Sequence, residues 1–324
     1  MGEFDLIAKY FTRPAKRAAL GVGDDCALLA PAPGMQLAIS SDMLVEGRHF
    51  LSTVEPSRLG HKALAVNLSD LAACGARPLA FTLALSMPTA DEPWLAGFSR
   101  GLLALADEHG CELIGGDTTR GPLNICITVF GEVPAGSALL RSGAKVGDDI
   151  WVSGTLGDAR LALEAFRGTL SLPAPMLKQA RMRMEHPTPR VALGQALRGV
   201  ATAAIDVSDG LLGDLVHILL ASRVGARIDA DAASELVAAR RMPSNAESGL
   251  ALETFRTCAL SGGDDYELAF TARPEARDAV EQASRASHTA VARIGVVEAV
   301  PGVRVVDAHG TPLAQRFTSF DHFG

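Results

Sequence analysis

The chain has 324 residues, enough for two packed domains, with 48% hydrophobic and 21% charged side chains, proportions ordinary for a globular protein. A net charge of −7 argues against a basic nucleic-acid surface. The five scattered cysteines, with no CxxC pair, argue against a disulfide framework or zinc knuckle and for the reduced thiols of a cytoplasmic protein.

MGEFDLIAKYF carries acids early and has no long apolar run, unlike a signal peptide, and Asp5 to Phe11 reads as a short helix. Ala18 to Leu29 holds the turn GVGDD and a strand-like CALL. Gln36 to Asp42 alternates as a strand, with Leu37, Ile39 and Ser41 on one side and Ala38, Ser40 and Asp42 on the other. Ser57 is placed to cap a helix reaching Cys74, with Gly75 as its stop. Leu79 to Met87 is a strand; the uncharged run Pro78 to Ala90 around it is too short to cross a bilayer. Asp91 and Pro93 open a helix that Gly110 ends. Glu112 to Ile114 and Asn124 to Val133 read as strands around a loop, GGDTTRGP.

Pro134 to Asp149, rich in Gly, Ser and charge, marks a domain boundary. The expected organisation is residues 1–135 as an N-terminal domain, 136–147 as a connecting segment and 148–324 as a C-terminal domain. Beyond it, Ile150 to Ser153 is a strand, Ala159 to Phe166 and Arg190 to Arg198 are helical, and Ala203 to Val207 is a strand. SDG breaks that strand and a helix follows from Leu211 to Ser222. Leu236 to Glu253 gives no clear period. Leu268 to Thr271 is a strand, Pro274 opens a helix, and Val291 to Val297 and Val303 to Val306 are short strands. Both halves mix helices and strands, and each holds a Gly-Gly-Asp, at Gly115-Gly116-Asp117 and Gly262-Gly263-Asp264.

Chemistry concentrates in the acids. Asp25 in GVGDD, Asp42 in ISSD with Ser40 and Ser41, Asp70 in NLSD and Asp117 in GGDTT fall within one domain. Asn67 and Asp70, three apart on a helix, share a face set in Ala and Leu. Carboxylates grouped without counter-charge repel one another, and a divalent cation removes that cost. Oxygen donors without His or Cys favour Mg²⁺, which commonly bridges carboxylates to phosphates. Each piece alone also fits a plain structural role: an Asx turn at Asp24 or Asp25, a strand end at Asp42, a cap or ion pair at Asp70, a turn at Asp117. The second half adds Asp206, Ser208 and Asp209 in AIDVSDG, where a helix start can bind an anion or simply be capped. Arg141 suits a phosphate or a solvated linker; His49 suits a substrate phosphate or an ordinary loop. There is no Walker A loop.

Taken together, GEFDLIAKYF, GVGDDCALL, AISSD, HKALAVNLSDLAACGA, LIGGDTTRGPL, LRSGAKVGD, AIDVSDGLLGDL, LSGGDDYEL and FDHF resemble the thiamine-monophosphate kinase family, within the group of aminoimidazole-ribonucleotide and selenophosphate synthetases. The resemblance implies a two-domain PurM-like α/β fold, with N-terminal sheets that pair in a homodimer and Mg-ATP in a cleft lined mostly by the N-terminal domain. It implies magnesium ligands at Asp25, Ser40, Ser41 (both serines by backbone oxygen), Asp42, Asp70, Asp117, Asp206 and Asp209. ATP contacts would come from Gly116, Asp117, Arg141 and Ser208, and thiamine-monophosphate contacts from His49, Asp264 and Phe317. Asp264 stands where the family has Glu, and Phe317 where it often has Trp. The implied reaction is direct, in-line phosphorylation of thiamine monophosphate by ATP, without a covalent phospho-enzyme. Two rival readings stay open: a superfamily enzyme with another substrate, and a catalytically silent nucleotide-binding protein.

Overall fold

The described residues, 2–315 and 317 with the Glu3 side chain set aside, come from a computed structural model; the FDHF ending lies outside them. They divide into two units, one of residues 1–71 and 76–138, the other of residues 72–75 and 139–324.

The first unit carries α1 (Glu3–Tyr10), β1 (Met35–Val45), α2 (Pro56–Ala73), β2 (Arg77–Met87), α3 (Glu92–His109), β3 (Glu112–Arg120) and β4 (Asn124–Pro134). Its four strands run in the order β1-β4-β2-β3. β4 lies antiparallel to both β1 and β2, and β2 lies parallel to β3 across the α3 crossover. On one sheet face Ile125, Ile127 and Val129 of β4 register with Leu85, Leu83 and Phe81 of β2. All six are buried, as are Leu64, Leu68 and Leu71 of α2 and Leu95, Phe98 and Leu102 of α3. A Cβ on Gly60 would meet the Phe98 carbonyl at 2.0 Å, and one on Gly101 the Ser57 carbonyl at 1.8 Å. α2 and α3 therefore cross backbone to backbone, which only glycine permits.

α3 starts and stops where its sequence says. Asp91 accepts a hydrogen bond from the Trp94 amide at 3.2 Å, and Gly110 ends the helix in left-handed backbone at φ 58°. β1 alternates as read: Leu37, Ile39, Ser41 and Met43 are exposed, while Ser40 and Asp42 are partly covered. Three expectations are corrected. Ser57 lies inside α2, which begins one residue earlier at Pro56, so it is not the cap. CALL joins no sheet; Leu28 forms only an isolated bridge with Leu20. GGDTTR is not a loop but the far half of β3, because β2 alongside supplies its hydrogen-bond partners. Gly116, at φ 149°, makes that possible: a Cβ there would fall 1.9 Å from the Leu83 carbonyl.

The second unit contains β5 (Asp149–Ser153), α4 (Asp158–Phe166), α5 (Ala174–Glu185), α6 (Val191–Ala196), β6 (Ala203–Val207), α7 (Leu211–Ser222), β7 (Gly225–Asp229) and α8 (Ala230–Ser234). It continues with α9 (Asn245–Ser248), α10 (Leu252–Ser261), β8 (Glu267–Ala272), α11 (Arg277–Ala286), β9 (Val291–Glu298) and β10 (Gly302–Val306). The six strands run β10-β7-β9-β5-β8-β6, antiparallel except for β10 against β7. Every residue of β5, β6 and β8 is buried, the mark of strands covered on both faces. Residues 139–144, on the second-unit side of the division, dock by backbone: the Ala204 amide binds the Leu140 carbonyl at 2.9 Å, and Ser222 Oγ accepts from the Gly143 and Ala144 amides at 3.1 Å.

Candidate active site

Two constellations gather the acids, one in each unit. In the first, the covered face of β1 meets α2. Ser40 Oγ donates to Asp70 Oδ2 at 2.5 Å. Asn67 Oδ1 accepts from the Asp42 amide at 3.1 Å while its Nδ2 donates to the Ala63 carbonyl at 3.0 Å. The shared helical face of Asn67 and Asp70 thus receives Ser40 through its hydroxyl and Asp42 through its backbone amide, which brings two acidic residues from separate elements to one place.

The loop after β1 is fixed from both sides. His49 Nδ1 accepts from the Val45 amide at 3.0 Å, and buried Lys62 donates its Nζ to the His49 carbonyl at 3.2 Å. With Nδ1 used as an acceptor, the proton of neutral His49 resides on Nε2. Asp24 accepts from the adjacent Asp25 amide at 2.9 Å, and both aspartates are exposed. Ser41 turns to the other face of β1, where its Oγ meets Thr128 Oγ1 at 2.9 Å and the Ile127 carbonyl at 3.1 Å.

Asp117 stands apart from Asp42 and Asp70. In register, Asp42 aligns with Ile127, Leu83 and Gly116, whereas Asp117 aligns with Ala84, Cys126 and Met43. The two aspartates are on opposite edge strands and opposite faces, about 14 Å apart along the sheet. Among the described residues no three His, Cys, Asp or Glu side chains form a metal cage. The donors present are all hard oxygens. They suit a hydrated Mg²⁺ held by one or two carboxylates and completed by phosphate oxygens, the usual arrangement for that ion, and not an all-protein cage.

In the second unit, Asp206 lies near the end of β6, and Ser208 and Asp209 form the turn into α7. Asp214 Oδ2, a residue sequence reading passed over, accepts from the Ser208 amide at 3.0 Å and the Asp209 amide at 3.1 Å. Burial, then the charge of Asp209, pushes the Asp214 carboxyl up to about 7. Against this turn lies the Gly262–Tyr266 loop: the Asp264 amide donates to the Ser208 carbonyl at 2.7 Å. Asp206, Ser208, Asp209 and Asp264 therefore meet where β6 ends and β8 begins. Behind them Glu267, fully buried, takes Arg190 on both carboxylate oxygens at 2.6 Å, Arg183 at 2.8 Å and Ser153 Oγ at 2.6 Å. Arg141 exposes its side chain beyond the docked backbone. Phe317 packs against the core of the unit. Asp214 had a readable signal, an acid in the first turn of a helix; Arg183 had none, because its partners Asp265 and Glu267 lie 82 and 84 positions along the chain.

This architecture defines a two-domain PurM-like protein of the AIR synthase-related class. Residues 23–133 match the family described as "AIR synthase related protein, N-terminal domain", and residues 145–308 match its C-terminal domain. The thiamine-monophosphate kinase of Salmonella typhimurium is 47% identical over 330 residues, covering 99% of this chain and 98% of the relative. The crystal structure of thiamine-monophosphate kinase from Stenotrophomonas maltophilia is 46% identical with TM-score 0.82, covering 96% of each chain. A structure described as AaThiL complexed with AMPPCP and TMP is 29% identical with TM-score 0.76, covering 91% of this chain and 89% of that one. The chain belongs to the thiamine-monophosphate kinase family and is an enzyme of that kinase class.

Proposed function

We propose that this protein transfers the γ-phosphoryl group of ATP to thiamine monophosphate, giving thiamine diphosphate and ADP, the last step of thiamine diphosphate formation. The observation that carries the reading beyond family membership is the meeting of Asp42 with Asp70 through Ser40 and Asn67. Such a patch recruits a cation and, through it, phosphate. Magnesium, when bound, screens the charge between two approaching phosphates and steadies the departing diphosphate.

Asp42 and Asp70, with Ser40, Ser41 and Asp25, hold metal on the first unit. Asp117, on the opposite edge strand, serves a different ion and, with Gly116, the nucleotide. Asp206 and Asp209 hold metal on the second unit, where Ser208 and Arg141 take ATP oxygens. His49, protonated on Nε2, donates to the acceptor phosphate. Asp264 contacts the thiamine moiety, and Phe317 offers an apolar wall. The acceptor phosphate is already anionic near neutral pH, so no general base is needed. Positioning and charge neutralisation carry the reaction, and transfer is in line with no phospho-enzyme.

A homodimer formed through the uncovered sheet face, and a cytoplasmic setting, complete the proposal. Among the described residues no helix is long and apolar enough to cross a membrane. The test is a coupled ADP assay with ATP and Mg²⁺, using thiamine monophosphate as acceptor and thiamine as control. ADP release dependent on the monophosphate and abolished by EDTA supports the proposal. Release indifferent to the acceptor favours a silent nucleotide-binding role, and preference for another acceptor favours a different superfamily activity.

A further inference from the structure

Among the described residues four that are not glycine have positive φ: Arg223, Asp264, Tyr266 and His288. Arg223 caps α7 and His288 follows Ser287, the C-cap of α11, places where left-handed backbone is common. Asp264 at 71° and Tyr266 at 52° have no such reason, since α10 already ends at Gly262 in extended backbone. Aspartate visits this region more readily than most residues, but a bulky tyrosine seldom does, and backbone held there persists only when its surroundings over-determine it.

The surroundings are specific. The Asp264 amide binds the Ser208 carbonyl at 2.7 Å and the Tyr266 amide binds the Val207 carbonyl at 2.8 Å. Between them Asp265, buried, receives the Gly157 amide on both carboxylate oxygens at 2.9 and 3.0 Å. Arg183 Nη2 reaches over the loop, donating to the Asp265 carbonyl at 3.2 Å and to Glu267 Oε1 at 2.8 Å. Arg190 already meets Glu267 with two hydrogen bonds, so the ion pair does not depend on Arg183. The Arg183 Nε is buried without a hydrogen-bond partner among the described residues, so its Nη2 makes the contacts to the loop.

We propose that Arg183 is a positioning residue: by tying the Asp265 carbonyl to Glu267 it holds the left-handed backbone at Asp264 and Tyr266 and fixes Asp264 beside Ser208 for the acceptor. The inference rests on the reading that Asp264 contacts the thiamine moiety. Both hydrogen bonds leave the single Nη2 atom, which a guanidinium carries one bond further from the backbone than a lysine ammonium would stand, so lysine withdraws the donor from the loop.

The test uses the full chain and the variant Arg183→Lys. In ligand-free protein, hydrogen exchange at the Asp264 and Tyr266 amides is expected to speed up by about tenfold, with the β5 and β6 amides unchanged. Unaltered exchange at 264 and 266 overturns the inference. In steady state, the KM for thiamine monophosphate is expected to rise about fivefold while kcat and the KM for ATP stay within about twofold. Combined with Asp264→Ala, Arg183→Lys is expected to add nothing further. An additive effect, or an equal rise in the KM for ATP, also overturns it. Should Arg183→Lys not fold, Arg183→Met, which leaves the Glu267–Arg190 pair intact, is read in the same way. A wild-type enzyme that ignores thiamine monophosphate sinks the proposed reaction, and the exchange result then decides by itself whether Arg183 holds the loop.

Discussion

Asp42 and Asp70 owe their proximity to two uncharged neighbours. Ser40 bonds the Asp70 carboxylate, and Asn67 holds the Asp42 amide. Removing the Asp42 charge should therefore spare the fold and remove the reaction. Asp42→Asn is expected to lower kcat at least about a hundredfold, with a melting temperature within about 2 °C of wild type. Near-normal turnover would refute the metal role. Asp149 tests electrostatics away from the site. Its buried carboxylate is penalised by desolvation, yet hydrogen bonds and charge from Arg277 and Arg293 outweigh this and hold it below its usual 3.8. A carboxyl lowered on folding stabilises the native state above its unfolded value, and that stability is lost as pH falls through the folded value. Urea midpoints of Asp149→Asn should be lower than wild type at pH 7, and the gap should close below pH 3.8. A gap independent of pH would contradict this assignment. The Asn67–Asp70 face was legible because helical spacing is fixed. Its partners on β1 were not, since nothing local in a sequence states which strand a helix will cover.

At the scale of elements, local signals were legible where they close on themselves. α3 is bounded by Asp91 and Gly110 in the structure as in the sequence, because caps act within one turn. GGDTTR deceived for the opposite reason: glycines and polar residues read as a loop, yet pairing with β2 makes them a strand. α5 went unread because its apolar stripe is only Met176, Ala180 and Met184, α10 because it starts at the end of the stretch without a clear period, and the five residues of β7 are too few to show alternation. The backbone contact between α2 and α3 gives the element-scale prediction. In Gly101→Ala the new Cβ would meet the Ser57 carbonyl at 1.8 Å, so the helices must part. A loss of roughly 1–3 kcal/mol in unfolding free energy is expected, measured by urea titration; an unchanged midpoint would show that the crossing is looser.

For the whole molecule, the sheet of the first unit has one face packed under α2 and α3 and another that exposes Ile39 at 60%, Met43 at 52% and Leu37 at 39%. Ser41, Thr128, Cys126, Thr82 and Ala84 share that face, so it is neutral across its centre. Asp117 shares that face on the opposite edge strand; the apolar part around Ile39 and Met43 is of the kind that marks an interaction surface, and the proposed homodimer would cover it on both subunits about a two-fold axis. Ile39→Asp, placed on that face and away from the covered core, is expected to convert a dimer of twice the chain mass to a folded monomer by light scattering. A variant that stays dimeric would move the interface elsewhere.

The sequence by itself determined the two α/β halves, the run of most strands and helices, the alternating faces of β1, the acidic motifs and the family, all of which depend on neighbours along the chain or on strings of residues. Tertiary structure alone decided that Asn67 and Ser40 join Asp70 to Asp42, that GGDTTR is an edge strand with Asp117 on the opposite face, and that Arg183 reaches across to brace Asp264. Those are contacts between residues tens of positions apart. Spacing along a chain carries no distance through space until packing and hydrogen bonding have fixed which elements touch.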